Sequence, residues 1–277
     1  MATATVRSRG ISEKNRRHLT SLHRGVTGPF SVAEAADTLA FTTERTHRFL
    51  AHLAERGWLV RVRRGLYATV PLDAINPGEW REDPWIVASK VFGPDYYIGG
   101  WTACEHWSLT EQIFLDTVVF TTRKMRGKET EVQGLPYRVR RTPKRKIFGA
   151  KPVWRDQIRV SVSDPSRTIV DILEEPSIGG GIRQVADVVD TYFREEHRDD
   201  ELLADYAGRV GNGVVFKRLG YLLEALEIPA SALLRACEAG ISSGISRLDP
   251  GLPDDGPVEW RWNLRVNGTV QVERSFA

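Results

Sequence analysis

Three groups of residues carry types that could do chemistry. Cys104, Glu105 and His106 set a thiol, a carboxylate and an imidazole side by side. A cysteine nucleophile needs a base within hydrogen-bond reach. Consecutive helical residues point about 100° apart, so this trio does not converge on one substrate atom. Asp164, Asp171 and Glu174 are residue types that hold a divalent cation in nucleases, and Asp171 and Glu174, three apart, can share a helix face. No acid–x–Lys strand accompanies them, and Asp164, directly before Pro165, has the simpler role of capping a helix. Gly179–Gly181 precedes a helical stretch, but no Lys-Ser/Thr follows it and no strand leads into it, so it reads as a turn and not as a phosphate cradle. The six histidines show no ligand spacing with Cys104 or Cys237. No catalytic residue, metal or cofactor is expected from these groups.

The remaining chemistry belongs to clustered cations. The formal net charge is only +3, yet residues 1–70 hold 12 Lys/Arg against 5 Asp/Glu, and residues 123–159 hold 13 against 3. Two basic blocks in an otherwise acidic chain suit a polyanionic partner. In the first block, Thr42, Thr43, Arg45, His47 and Arg48 crowd the start of one predicted helix, and Arg61, Arg63 and Arg64 surround a predicted hairpin turn. Arginine can pair with guanine through two parallel hydrogen bonds, and threonine can reach bases or phosphates. Arg61 and Arg63 have the same parity on a strand, so one hairpin face is expected to present both. The second block contains Arg123, Lys124, Arg126, Lys128, Arg138, Arg140, Arg141, Lys144, Arg145 and Lys146.

The elements that must position the first cluster are legible around it. A helix is predicted from Ser12 to about Arg24, with Leu19 and Leu22 on one face. Gly28-Pro29 breaks the chain. Ser31 and Glu34 form a capping-box pattern for a short helix to Leu39. Thr42-Thr43 start a third helix that Gly57 stops. Its apolar face carries Thr46, Phe49, Leu50 and Leu53, and its polar face Glu44, His47, Arg48 and Ala51. The runs 58–62 and 66–70 then flank Arg63-Arg64-Gly65 as a hairpin. Three helices followed by a hairpin is the order of a winged helix-turn-helix, whose last helix enters the major groove. Tyr67 is assigned to packing.

Pro71, Pro77, Gly78 and Pro84 mark a linker, which divides the chain into residues 1–75, 76–84 and 85–277. The C-terminal part reads as mixed α and β. Strands are predicted at 96–98, 117–121, 137–140 and 158–162, with a short helix at 102–109 between the first two. Helices are predicted at 165–173, 182–195, 201–210, 214–226 and 230–239, and a strand-like tail at 258–272. The expected fold is α+β, with the second half helix-rich. Met1–Gly10 lacks the apolar stretch of a secretory signal, and the two distant cysteines suit a reduced, cytoplasmic protein away from membranes.

The segments Ser31–Ala36 and Gly57–Tyr67 resemble the winged helix of AbiEi-type antitoxins. Gly99–Thr110, Ser163–Asp171 and Lys217–Glu224, in that order, resemble further signatures of the same family, so the likeness runs from about residue 10 to beyond 225. Residues from about 240 onward match no part of it. The resemblance implies an antitoxin of a type IV toxin–antitoxin pair linked to abortive infection by phage. It implies an N-terminal domain that binds inverted repeats of duplex DNA in its own promoter and represses the operon. It implies a C-terminal domain that counteracts a nucleotidyltransferase-like toxin, in many cases without a stable complex. It also implies further operator contacts from C-terminal cations, a role the second basic block would fit. Three alternatives stay open: a ligand-controlled winged-helix regulator, a nuclease that depends on Asp171, and a winged helix that serves as a protein-interaction module.

Overall fold

The computed structural model describes residues 10–71, 74, 76, 79–125, 127 and 129–270. It divides into two compact units, one of Met1–Pro94 with Glu129–Tyr137 and Val153–Val160, the other of Asp95–Lys128, Arg138–Pro152 and Ser161–Ala277.

The first unit opens with α1 (Glu13–Gly25), whose N-cap Ser12 accepts from the Asn15 amide. A two-residue strand, β1 (Phe30–Ser31), leads into α2 (Val32–Leu39). There the capping box is complete: the Glu34 amide donates to Ser31 Oγ and the Ser31 amide donates to the Glu34 carboxylate, so two of the amides a helix start leaves unpaired are satisfied reciprocally. α3 (Thr43–Glu55) follows from N-cap Thr42. β2 (Leu59–Arg63) and β3 (Leu66–Thr69) meet at Gly65, whose φ of +78° suits glycine. β1 pairs antiparallel with β3, so the wing is a three-stranded sheet of order β1-β3-β2. The sequence revealed only its hairpin, because two residues carry no alternation. Leu19, Leu22, Phe30, Ala35, Leu50, Leu53, Leu59 and Tyr67 form one buried cluster beneath the three helices and the sheet. This is a winged helix-turn-helix. Pro77 and Gly78 lie outside the described residues. Pro84 begins α4 (Pro84–Val91), capped by the Asp83 carboxylate, because proline needs no hydrogen-bond partner at a first helical position.

Seven short elements follow: β4 (Tyr96–Ile98), α5 (Gly100–His106), β5 (Thr117–Thr121), β6 (Glu129–Val132), β7 (Leu135–Arg141), β8 (Ala150–Arg155) and β9 (Ile158–Ser163). The six strands form one sheet of order β6-β7-β5-β4-β9-β8. β4 runs antiparallel to β5 and parallel to β9. β6 escaped the sequence reading because Glu129, Thr130 and Glu131 are polar, and β8 because Pro152 interrupts it and reads against a strand. Then come α6 (Pro165–Glu174), α7 (Ile182–Arg194), α8 (Asp200–Val210), α9 (Gly213–Ala225) and α10 (Ser231–Gly240). They pack around Tyr97, Ile169, Ile172, Val189, Tyr192, Leu219 and Leu222.

The strand expected over 258–272 is broken. β11 (Val258–Glu259) and β12 (Leu264–Arg265) are separated by a turn at Asn263, with φ +47°, and β12 pairs on its other side with β10 (Ser246–Arg247). Residues 271 and 272 lie outside the described residues. This last segment is part of the core: Trp262 is fully buried against Gly220, where an added Cβ would come within 2.2 Å of the indole. The indole N–H donates to the Glu224 carboxylate at 2.6 Å. Among the described residues, no helix is long and apolar enough to cross a membrane.

Candidate nucleic-acid interface

The start of α3 is built by its cap. Thr42 Oγ1 accepts from the Arg45 amide at 3.4 Å, which uses one lone pair of the Thr42 hydroxyl to cap the helix. Thr43, Arg45, His47 and Arg48 are exposed, while Thr46, Leu50 and Leu53 are buried behind them. The amphipathic split sets a row of polar and cationic groups along the outer face of the helix. Glu44 pairs with Arg48 at 3.4 Å, one turn apart and open to solvent, where such pairs contribute little. Arg45 behaves differently. Its guanidinium carbon lies over the Phe41 ring, 3.6 Å from the centroid. Phe41 in turn meets His18 of α1 and Phe49 edge-on, at 4.9 and 5.8 Å between centroids. Burial, and then the charges of Arg45 and Lys14, hold the His18 imidazole below its usual pKa. The sequence reading did not single out Phe41 or His18. The signal available to it was the four-residue spacing from Phe41 to Arg45 across a helix start.

On the wing, Arg61 and Arg64 are exposed and Arg63 is half-buried. The pairing shifts register between Arg61 and Arg63. That irregularity interrupts the two-residue alternation, so the shared face expected from their parity does not follow. Gly65 has open space around it. Tyr67 is buried in the core, as packing requires.

The second basic block separates into two sets. Arg138 pairs with Asp116 at 3.1 Å, Arg140 with Glu175 at 2.7 Å and Lys146 with Glu174 at 2.7 Å. These three cations are at least half-buried; Arg138 ties β7 to the loop before β5, and Arg140 and Lys146 are tied to the end of α6. Arg123, Lys124, Arg141, Lys144 and Arg145 are exposed, with Lys144 3.4 Å from Asp95. Arg126 and Lys128 lie outside the described residues. Asp95, Thr122, Arg141, Thr142, Pro143 and Lys144 line a cleft of about 490 Å³.

The candidate catalytic groups have structural partners. Cys104 is fully buried, which pushes its thiol well above the usual range, while Glu105 points to solvent. Trp101 is core, stacked on Phe114 at 4.7 Å, and Trp107 is half-buried, with its indole N–H on the Ser163 carbonyl. Asp164 caps α6 and accepts from the Tyr206 hydroxyl. Asp171 is buried against Arg167 at 2.9 Å and accepts from Tyr97. Burial raises its carboxyl, with Arg167 opposing. Glu174 accepts from Lys146 and Asn212. Among the described residues, no group of three or more His, Cys, Asp or Glu could hold a metal ion. Gly180 and Gly181 take positive φ, and the α7 amide of Ile182 donates to Asp249 at 2.9 Å. A carboxylate of the chain therefore occupies the position a phosphate would take. In the Lys217–Glu224 segment, Arg218 is buried and donates to the carbonyls of Leu173, Glu174 and Arg247, which clamps the end of α6.

No curated protein sequence matches the chain significantly. The fold resembles the crystal structure of the RV2827C protein from Mycobacterium tuberculosis, with a TM-score of 0.65 at 16% identity over 95% of this chain and 94% of that one. At that identity the likeness is one of fold. Residues 19–70, which run from the middle of α1 through α2, α3 and the wing, match the family model described as transcriptional regulator, AbiEi antitoxin.

Proposed function

We propose that the chain is a DNA-binding antitoxin that represses its own operon and counteracts a nucleotidyltransferase-like toxin. The observation that carries this reading is the exposed row Thr43, Arg45, His47 and Arg48 on α3, beside an arginine-tipped wing, within the segment that matches the regulator family. A helix of this kind fits the major groove, and residues at its N-terminal end reach base edges. Arg61 on β2 and Arg64 in the wing turn hold phosphates, with the half-buried Arg63 between them in sequence. Arg123, Lys124, Arg141 and Arg145 are the members of the second block best exposed to add phosphate contacts.

The test has two arms. In cells, the chain should silence a reporter driven by its own promoter, and R45A/R48A should release it. Expressed beside the neighbouring reading frame, it should restore growth if that frame encodes the toxin. Silencing without rescue would leave a regulator and remove the antitoxin role. Rescue without silencing would remove the repressor role.

The cleft lined by Arg141 and Lys144 supports a second reading, a regulator controlled by a small anion. It predicts that such a ligand changes operator affinity and that R141A abolishes the change.

A further inference from the structure

Two arginines share the outer face of α3, but their surroundings differ. Arg48 is engaged with Glu44. Arg45 forms no side-chain hydrogen bond or ion pair among the described residues, yet its position is defined, because its guanidinium carbon sits 3.6 Å from the centre of the Phe41 ring, a separation at which an edge-on guanidinium would press its nitrogens into the ring and a stacked one does not. Stacking uses the face of the group. The N–H donors lie in the plane and point outward at the edge, so they stay open for the two acceptors of a guanine. Phe41 is itself held. It stands immediately before the N-cap Thr42 and is half-buried, wedged edge-on between His18 of α1 and Phe49 one turn beyond Arg45. His18 and Phe49 also meet each other, 5.6 Å apart. Three rings in mutual contact make a platform that belongs to the core on one side and to the helix start on the other.

An arginine that is mobile in the free protein must be ordered when it binds, at a cost in affinity for each immobilised side chain. A stacked arginine has been ordered already by folding. That advantage is realised only where the edge of the guanidinium meets a matching base. Attraction to phosphates needs the charge alone.

Resting on the DNA-binding reading above, we infer that Arg45 is the principal base-selecting residue of α3 and that Phe41 is its positioning residue, a stacking surface that sets the guanidinium edge for guanine. Phe41 touches no base. It acts on selectivity through Arg45 and leaves attraction to DNA in general unchanged.

The test is fluorescence anisotropy of the full chain on its own promoter duplex and on a shuffled duplex of equal length, with thermal unfolding measured in parallel. The readout is the ratio of the two affinities. F41L should lower that ratio about two- to fivefold, the equivalent of a lost exposed cation–π contact, with shuffled-duplex affinity unchanged. F41W should restore it. R45A should lower the ratio about five- to 140-fold, the range of one bidentate base contact, and F41L/R45A should do no more than R45A alone. R45K keeps the charge but loses the planar fork. It should lose selectivity while binding shuffled DNA as before, and it tests the proposal even if F41L folds poorly. An unaltered ratio in R45K, or additive losses in F41L/R45A, would overturn the assignment and leave DNA binding intact. No preference for the promoter in the unaltered protein would instead overturn the DNA-binding reading itself.

Discussion

The wing offers a prediction that can be worked to a number. Arg61 on β2 and Arg64 in the turn before Gly65 are both exposed, so replacing both with alanine removes two charges and no packing. Exposed substitutions of this kind change stability by no more than about 0.5 kcal/mol, and Tm should not move. Each phosphate neutralised contributes about 0.9 to the slope of log affinity against log salt. Two contacts therefore contribute about 1.8. Between 0.05 and 0.2 M salt, that part of the slope is worth about a twelvefold change in affinity. The assay is an anisotropy titration of R61A/R64A and the unaltered chain on one duplex at four or five salt concentrations. The variant should bind more weakly at low salt, lose about twelvefold less affinity over the range, and keep its promoter preference. Two results would refute the reasoning. Parallel lines would mean that the wing makes no phosphate contact, and an unchanged slope with lost preference would mean that the wing reads bases.

Three further predictions concern the scaffold. Trp262→Ala empties the space the indole fills against Gly220 and removes one of the partners of Glu224, which keeps Arg261; chemical denaturation should show a loss of about 3–5 kcal/mol. His18 and His23 of α1 both have lowered pKa values, through burial first and, for His18, through Arg45 and Lys14 as well. The unfolded chain then takes up protons at a higher pH than the folded one. Stability should be full above the unfolded value near 6.5 and fall as pH drops below it, and His18→Phe should flatten that dependence in a pH series of melts. Cys104 and Cys237 are both buried, and burial pushes the Cys237 thiol up to about 12. A thiol reagent at neutral pH should label neither in the native protein and both after denaturation, and rapid native labelling would contradict their placement.

What could be read from the sequence follows from what local chemistry controls. The helix starts at Ser12, Ser31, Thr42 and Asp164 were legible because a side-chain oxygen before a helix satisfies a free amide whatever the tertiary setting. The polar and apolar faces of α3 were legible because its burial follows the helical period. Elements without such a signal were lost. β1 is too short to alternate. α4 begins at a proline that also marks linkers. β6 is mostly polar, and β8 carries Pro152. Asn263 turns the C-terminal run where its β-prone residues suggested continuity. Nor does a sequence show which cations are spent inside. Arg138, Arg140 and Lys146 look like their neighbours Arg141 and Arg145, and only the sheet and helices that bring Asp116, Glu175 and Glu174 to them distinguish the two sets. Within the candidate interface, Thr42, Thr43, Arg45, His47 and Arg48 were legible as a group. The stack of Arg45 on Phe41, and the rings behind it, arise from the packing of α1 against α3 and needed the fold.

On the reading proposed above, this winged helix recognises the promoter of its own gene. The most direct measurement is an equilibrium titration of the full chain against a duplex of that promoter and an unrelated duplex of equal length, at about 0.15 M salt. Binding to the promoter should be tighter by on the order of a thousandfold or more, the lower range of specific regulators. Equal affinity for the two duplexes, or no binding to either, would contradict it.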